Sequence, residues 1–163
     1  MASEEANAGK KAFDPLNVEY EHAYKKNPFK KACIAKAIAL LEPGSRVLDV
    51  GCGTGVPVSQ MLAEAGLEVT RFNIAPTMIE YAQQRVKGKF LVADLLQYEP
   101  EGTFAGIFII YAQLSLSYTS LHAMVSKYAN HLEVGGLIAM GQTPADVHVK
   151  AGDPVWDLSL IHI

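Results

Sequence analysis

The chain has 163 residues, half of them apolar and 19% charged, which is the composition of one globular domain. Its formal net charge of -3 comes without a basic stripe, so we expect no nucleic-acid partner. The longest apolar run, residues 104–112, is too short to cross a bilayer, so we also expect no membrane partner.

The N-terminus and the cysteines point to the compartment. Residues 1–11 are alanine-rich and lack the apolar core of a secretory signal. Cys33 and Cys52 resemble neither a disulfide framework nor a metal site, and no metal is expected. The sequence therefore predicts a cytoplasmic protein in a reducing environment.

Helices and strands alternate along the chain. Asn27-Pro28 is a helix start signal, and apolar spacing extends the predicted helix to residue 41. Strands are predicted at residues 46–50, 67–74, 89–93, 104–111 and 137–141, with helices at residues 56–65, 76–87 and 119–132. Gly135-Gly136 is predicted to be the turn into the last strand. The alternation predicts an α/β fold, a doubly wound, Rossmann-like parallel sheet of about five strands.

The first predicted strand runs directly into a turn that carries Gly51, Gly53 and Gly55. A glycine has no Cβ, so the backbone can take a positive φ and come close to a ligand. The next helix points its free N–H groups at the same place, outside the carboxyl end of the strand. The spacing is G-x-G-x-G, and Val56 stands where a dinucleotide fold would place its third glycine. No Gly-Lys-Ser/Thr follows, which excludes a P-loop.

A family resemblance starts in this turn. Residues 47–55, Val-Leu-Asp-Val-Gly-Cys-Gly-Thr-Gly, resemble the first motif of class I S-adenosylmethionine-dependent methyltransferases. The resemblance continues through residues 73–78, Ala93-Asp94, residues 104–111 and residues 132–137, and it covers roughly residues 13–142. More narrowly, the chain resembles small fungal methyltransferases of secondary metabolism. The resemblance implies that fold, S-adenosylmethionine as the cofactor, and methyl transfer to a small organic acceptor.

The resemblance also implies cofactor-binding residues. Asp49 would organise the cofactor's ammonium group, and Asp94 would accept a hydrogen bond from the adenine amino group. The glycines would let the methionine end lie against the backbone. The implied cofactor-binding set is Asp49, Gly51, Cys52, Gly53, Gly55, Asn73, Ile74, Asp94, Leu95 and Tyr111. The alternatives are a plain tight turn for the glycines, a turn cap for Asp49 and a loop cap for Asp94.

No catalytic residue is identified by the resemblance. Tyr111 and Gln113 follow the fourth strand, where such folds place the transferring methyl group and the acceptor. Tyr111 and His22 are the candidates for a general base, if the acceptor holds its proton. Tyr20 and Tyr24 either close over the cofactor or only pack against the domain.

Two rival functions stay open beside methyl transfer. The family usually ends its second strand with an acid that takes both ribose hydroxyls, and this chain has Asn73. A neutral hydrogen bond is worth about 1 kcal/mol less than a charged one, which is about fivefold in affinity. One rival is therefore a non-catalytic binding or scaffold module with a degraded pocket. The other is a nicotinamide-dependent oxidoreductase in which Arg71 pairs with a 2′-phosphate.

The C-terminal part suggests an incomplete chain. A complete family member has seven strands, which would leave the fifth strand here as an uncovered apolar edge. Residues 158–163 resemble the translation of a sequencing-library adapter, so we expect a natural frame cut near Asp157. The predicted division is a disordered N-terminus at residues 1–12, a methyltransferase-like domain at residues 13–142 and an incomplete segment at residues 143–163.

Overall fold

The computed structural model describes residues 4–13, Glu21 and residues 28–141. The helices are α1 (Glu4–Phe13), α2 (Pro28–Ile38), α3 (Val58–Glu64), α4 (Pro76–Arg85) and α5 (Tyr118–Ala129). The strands are β1 (Arg46–Val50), β2 (Glu68–Asn73), β3 (Phe90–Val92), β4 (Phe104–Ile110) and β5 (Leu132–Gly141). They form one parallel sheet in the order β3-β2-β1-β4-β5. The predicted doubly wound α/β fold is confirmed.

The sheet is covered on both faces, which explains the apolar strands. Alternate residues of β1 point to opposite sides: Val47 packs with residues of α2 and α3, and Leu48 packs with residues of α5. Both side chains are fully buried. The sheet is therefore the rigid middle layer, and its carboxyl edge holds the loops that follow β1, β2, β3 and β4.

The N-terminal residues correct the prediction of disorder for residues 1–12, because α1 covers most of them. The sequence of α1 suits a helix. Glu4 lies at its positive end, while Lys10 and Lys11 lie in its last turn, so both ends complement the helix dipole. The placement of these charges at the two ends of the segment favours a helix, and the composition of residues 1–12 alone does not show it.

The fifth strand begins earlier than predicted. Phe104 pairs with Leu132 and Gly106 pairs with Leu137, so β5 bulges between these two pairs. Gly135 has a φ of 82°, a conformation that suits glycine at a bulge. The predicted turn at Gly135-Gly136 is therefore a bulge inside β5. The sequence predicts that a helix at residues 119–132 ends at Leu132, but Leu132 is the first residue of β5.

The uncovered apolar edge at β5 stays a prediction, since the residues that follow β5 lie outside the described part of the chain. Within residues 28–141, β5 pairs with β4 alone, and Val134 is fully exposed. The predicted C-terminal segment, residues 143–163, lies outside the described residues. No helix in the described part of the chain is long and apolar enough to cross a membrane.

Candidate cofactor-binding site

The carboxyl ends of four adjacent strands surround one open cavity. Its walls come from the loops after β1, β2, β3 and β4. Lys10, Glu21 and Lys30 complete them from the N-terminal part of the chain. Nine of the ten residues in the predicted cofactor-binding set line it: Asp49, Gly51, Cys52, Gly53, Asn73, Ile74, Asp94, Leu95 and Tyr111. Such a cavity lies where open α/β sheets bind small molecules.

The first wall, which we call the β1 rim, consists of Asp49 and residues 51–54. Gly51 and Gly53 have φ values of 68° and 55°, in the left-handed region. A Cβ on Gly51 would lie 2.4 Å from Ala112 Cβ, whereas one on Gly53 would have only Met78 Sδ within 4 Å, at 3.9 Å. Gly51 thus lets the end of β4 approach, and Gly53 gives the cavity a bare main-chain floor.

Asp49 places a carboxylate in this rim at almost complete burial, with 1% of its surface exposed. Ser59 Oγ donates a hydrogen bond to Asp49 Oδ2 at 2.5 Å. Burial raises the pKa of Asp49 to about 6, against the lowering effects of the Ser59 bond and of the positive charges on Arg71 and Lys30. Asp49 is therefore ionised at neutral pH at a cost in free energy, which a bound cation would offset.

The opposite wall, the β2–β3 rim, consists of residues 73–75 and 93–95. Asn73 Nδ2 donates to Met78 Sδ at 3.4 Å. A Cβ on Gly51 would lie 3.9 Å from Asn73 Oδ1, so the acceptor end of the amide faces the β1 rim. Asp94 Oδ1 accepts a hydrogen bond from Leu96 N at 2.8 Å, which is the predicted loop cap. Asp94 also lines the cavity, so capping and ligand contact are compatible here.

The family assignment rests on a sequence comparison. Residues 47–136 match the family described as Methyltransferase domain, which is more than half of the chain. The chain belongs to this family. The resemblance to class I S-adenosylmethionine-dependent methyltransferases is thereby confirmed, and so is the predicted cofactor, since members of this family use S-adenosylmethionine.

Individual relatives agree with this assignment. The chain is 42% identical over 57 residues to the ubiquinone biosynthesis O-methyltransferase of Xanthomonas campestris pv. campestris, covering 35% of this chain and 23% of that protein. It is 32% identical over 114 residues to the malonyl-[acyl-carrier protein] O-methyltransferase of Serratia marcescens, covering 68% and 43%. The chain thus spans less than half the length of these curated relatives.

A solved structure supports the fold of this methyltransferase domain. The magnesium protoporphyrin IX methyltransferase from Synechocystis PCC 6803, crystallised with bound S-adenosylmethionine, superposes with a TM-score of 0.69 at 22% identity. The superposition covers 81% of this chain and 74% of that chain. At this identity the likeness concerns the fold alone.

The loop after β3 in this methyltransferase domain is held by α5, which sequence reasoning missed. Lys127 Nζ donates to the main-chain oxygens of Leu95, Leu96 and Tyr98 at 3.1, 3.0 and 2.8 Å. Tyr128 OH donates to Leu95 O at 2.8 Å. Burial lowers the pKa of Lys127, partly offset by the charge of Glu99. Nothing in the sequence marks Lys127, since a lysine in a last helical turn is ordinarily explained by the helix dipole.

Two predicted site residues lie away from the cavity. A Cβ on Gly55 would lie 3.3 Å from Ala82 Cβ, so this glycine allows α4 to pack closely and does not line the cavity. Gln113 is also not among the lining residues; it is 2% exposed, and its Nε2 donates to Gly141 O at 2.7 Å. Neither residue lines the described cavity, and the roles predicted for them stay predictions.

Tyr111 does line the cavity, directly after β4. Its φ is 61°, a conformation that a bulky residue rarely adopts. Tyr111 N donates to Gly141 O at 3.1 Å, and Lys30 Nζ lies 5.2 Å from the centre of the ring. Strained backbone of this kind is concentrated at functional sites. His22, Tyr20 and Tyr24, the other candidates, lie outside the described residues.

Arg71 does not fit the role that a nicotinamide cofactor would give it. It is 3% exposed, and its Nη1 donates to Lys87 O at 3.2 Å. Its guanidinium lies 5.0 Å from the centre of the Phe90 ring, and a Cβ on Gly88 would collide with it. Arg71 is packed against β3 and does not line the cavity, so the predicted contact with a 2′-phosphate is wrong.

Proposed function

We propose that this chain transfers a methyl group from S-adenosylmethionine to a small organic acceptor. One observation carries the proposal. A buried carboxylate, a bare glycine floor, an amide and a second carboxylate border one cavity, at the ends of three neighbouring strands. These groups correspond to the ammonium, the methionine chain, the ribose and the adenine of the cofactor.

The residues present fit this cofactor group by group. Asp49 would accept from the ammonium group, which offsets the cost of burying its charge. The floor at Gly53 leaves space where a side chain would stand. Asn73 Oδ1 faces the β1 rim and would accept from a ribose hydroxyl. Asp94 would accept from the adenine amino group.

The protein's part in the reaction is mainly to position and to exclude water. The cofactor supplies a sulfonium carbon that is already electrophilic, so the acceptor atom must be held in line with it. Ile110, Ala112 and Leu116 give the β4 side of the cavity an apolar lining. Tyr111 lies among them, and we propose that the acceptor binds there. If the acceptor must lose a proton, the Tyr111 hydroxyl is the described candidate base.

We further propose that the acceptor is a metabolite of secondary metabolism and that the chain acts in the cytoplasm. The resemblance to small fungal methyltransferases supports the first proposal. Two free cysteines, the exposed Cys33 and the buried Cys52, are compatible with the second. A non-catalytic scaffold module is not favoured, because the groups that the cofactor requires are present in one cavity.

Calorimetric titration with S-adenosylhomocysteine, the reaction product, tests the proposal. We expect micromolar binding, followed by release of this product from S-adenosylmethionine when a panel of small phenols, amines and carboxylic acids is offered. Titration with NADPH is the control and should give no heat. Absence of heat at millimolar S-adenosylhomocysteine would contradict the proposal and favour the scaffold module.

A further inference from the structure

Two opposite charges lie in the middle of a buried row of side chains that crosses the sheet. The register pairs Asp49 on β1 with Arg71 on β2, and it continues the row to Phe108 on β4 and to Phe90 on β3. Residues paired in this way on parallel strands point to the same face of the sheet. All four side chains are buried. The row is therefore aromatic at its two ends and charged at its centre.

The Arg71 guanidinium has few partners for a buried cation. Its Nη1 donates to Lys87 O at 3.2 Å, and its central carbon lies 5.0 Å from the centre of the Phe90 ring. Its Nε is buried and has no hydrogen-bond partner among the described residues. Burial lowers the pKa of Arg71, and the charge of Asp49 opposes this lowering. A buried cation without a counter-charge is strongly destabilising, and Asp49 is the acid beside Arg71 in the row.

Arg71 reaches the cavity only through Asp49, because Asp49 lines the cavity and Arg71 does not. The other described groups that act on Asp49 belong to elements on the same face. Ser59 on α3 donates to Oδ2, and Lys30 on α2 adds a second positive charge. Burial raises the pKa of Cys52, so this neighbouring thiol stays neutral. Arg71 is thus a permanent cation next to Asp49 in the sheet, since an arginine is not deprotonated in proteins.

We propose that Arg71 is a positioning residue for the cofactor, a fixed buried cation that keeps Asp49 charged beside the proposed ammonium site. The assignment rests on the proposed function and deepens it, since it explains how an almost fully buried acid binds a cation at neutral pH. Burial raises the pKa of Asp49 to about 6, and loss of the Arg71 charge would raise it further. Arg71 thereby sets the lower limit of the pH range in which the cofactor binds.

Three variants of Arg71 separate its charge from its packing. Arg71→Met and Arg71→Gln remove the charge, and Arg71→Lys keeps it. Two neutral variants are used so that a folding defect in one leaves the other to decide. Each variant is titrated with S-adenosylhomocysteine by calorimetry between about pH 5 and pH 8, and circular dichroism confirms that it is folded.

Arg46→Met is the matched control. The Arg46 guanidinium also lies 5.0 Å from the centre of a phenylalanine ring, that of Phe104, and its Nη1 donates to Thr103 O at 3.2 Å. Arg46 is the first residue of β1, so it lies at the amino edge of the sheet, away from the cavity. It therefore reproduces the packing of Arg71 without its place beside Asp49.

The expected result is a displaced pH profile. The midpoint of the affinity profile should move up by about one pH unit in both neutral variants, because an adjacent opposite charge is lost. Their affinity should then be about fivefold below that of the wild type at pH 6 and within about twofold of it at pH 8. Arg71→Lys and Arg46→Met should keep the midpoint of the wild type.

Other outcomes contradict the assignment in distinguishable ways. A loss of affinity by the same factor at every pH would show that Arg71 acts through packing alone. An unchanged profile in a folded neutral variant would show that the charge of Asp49 does not depend on Arg71. A shift in Arg71→Lys as large as in the neutral variants would show that the shape of the guanidinium matters and not its charge. If the wild type did not bind S-adenosylhomocysteine at any pH, the proposed function itself would fail.

Discussion

The two walls of the cavity are built by different means. The β1 rim consists of main chain and of one acid, Asp49, that is buried in the core of the domain. The β2–β3 rim consists of side chains on loops that other elements hold: Met78 contacts Asn73, and Lys127 binds the loop after Asp94. The first wall is thus set by the sheet itself, and the second depends on contacts from the helices.

The walls also differ in charge. The β1 rim combines a carboxylate whose pKa is raised to about 6 with the neighbouring Lys30. The end of β2 has the neutral Asn73, where the family resemblance implies an acid. This difference teaches that the carboxylate with the raised pKa lies at the amino acid end of the proposed ligand, while Asp94 is the carboxylate of the other wall. Changes at the β1 rim should therefore alter affinity with pH, and changes at the other wall should alter it by smaller, pH-independent amounts.

The largest effect is expected for Asp49→Asn. Loss of a charged hydrogen bond should weaken binding of S-adenosylhomocysteine by roughly 10–100-fold at pH 7.5. The wild type should lose affinity about tenfold per pH unit below pH 6, as Asp49 takes up a proton, and the variant should not. Calorimetry between pH 5 and about 8 measures the affinity of the wild type and of the variant. If the two affinities changed with pH in parallel, the ligand would not contact Asp49.

The same variant should be more stable than the wild type. The pKa of Asp49 is raised from 3.8 to about 6 in the folded state, so the wild type loses stability as pH rises through this window. A shift of this size corresponds to about 3 kcal/mol. Above pH 6, urea denaturation should therefore give Asp49→Asn the larger free energy of unfolding. A less stable variant would show that the carboxylate stabilises the fold.

A smaller effect is expected for Lys127→Met, which releases the loop of the β2–β3 rim. Removing the cation from three carbonyl groups should lower the free energy of unfolding by about 2 kcal/mol. Affinity for S-adenosylhomocysteine should fall equally at pH 6 and pH 8. Lys89→Met, at an exposed lysine beside β3, is the matched control and should behave as the wild type. An unchanged unfolding midpoint in Lys127→Met would contradict the loop contact.

The smallest effect, and one of opposite sign, is expected for Asn73→Asp. Restoring an acid at the end of β2 replaces a neutral acceptor by a charged one, worth about 1 kcal/mol or about fivefold in affinity. Titration at pH 8 keeps the new carboxylate ionised. Weaker binding in this variant would mean that the ribose hydroxyls lie elsewhere, and it would break the contrast between the two walls.

Much of this arrangement is local and could be predicted from the sequence. Apolar runs ending at Asp49, Asn73 and Asp94 placed three polar groups at strand ends, because parallel strands share one edge. What the sequence could not show depends on packing between distant residues. The close approach of α4 at Gly55, where a Cβ would lie 3.3 Å from Ala82 Cβ, is invisible in a glycine pattern.

The contacts of three charged residues likewise depend on packing between distant parts of the chain and could not be predicted from the local sequence. Arg71 resembled a phosphate ligand by its place on β2, but it packs against Phe90. Lys30 and Lys127 look like ordinary solvated lysines in a helical sequence, yet one lines the cavity and the other binds three carbonyl groups. The rotation of each helix against the sheet decided these roles.

The central claim, that the cofactor lies on the bare main chain of the β1 rim, is tested most directly at Gly53. Gly53→Ala and Gly66→Ala both add a Cβ at positive φ, 55° and 74°, so both carry a similar backbone strain of about 1 kcal/mol. Only Gly53 lines the cavity, and Gly66 has open space around it. The account predicts that Gly53→Ala raises the Kd for S-adenosylhomocysteine at least about tenfold while Gly66→Ala leaves it unchanged. Wild-type affinity in a folded Gly53→Ala variant would contradict it.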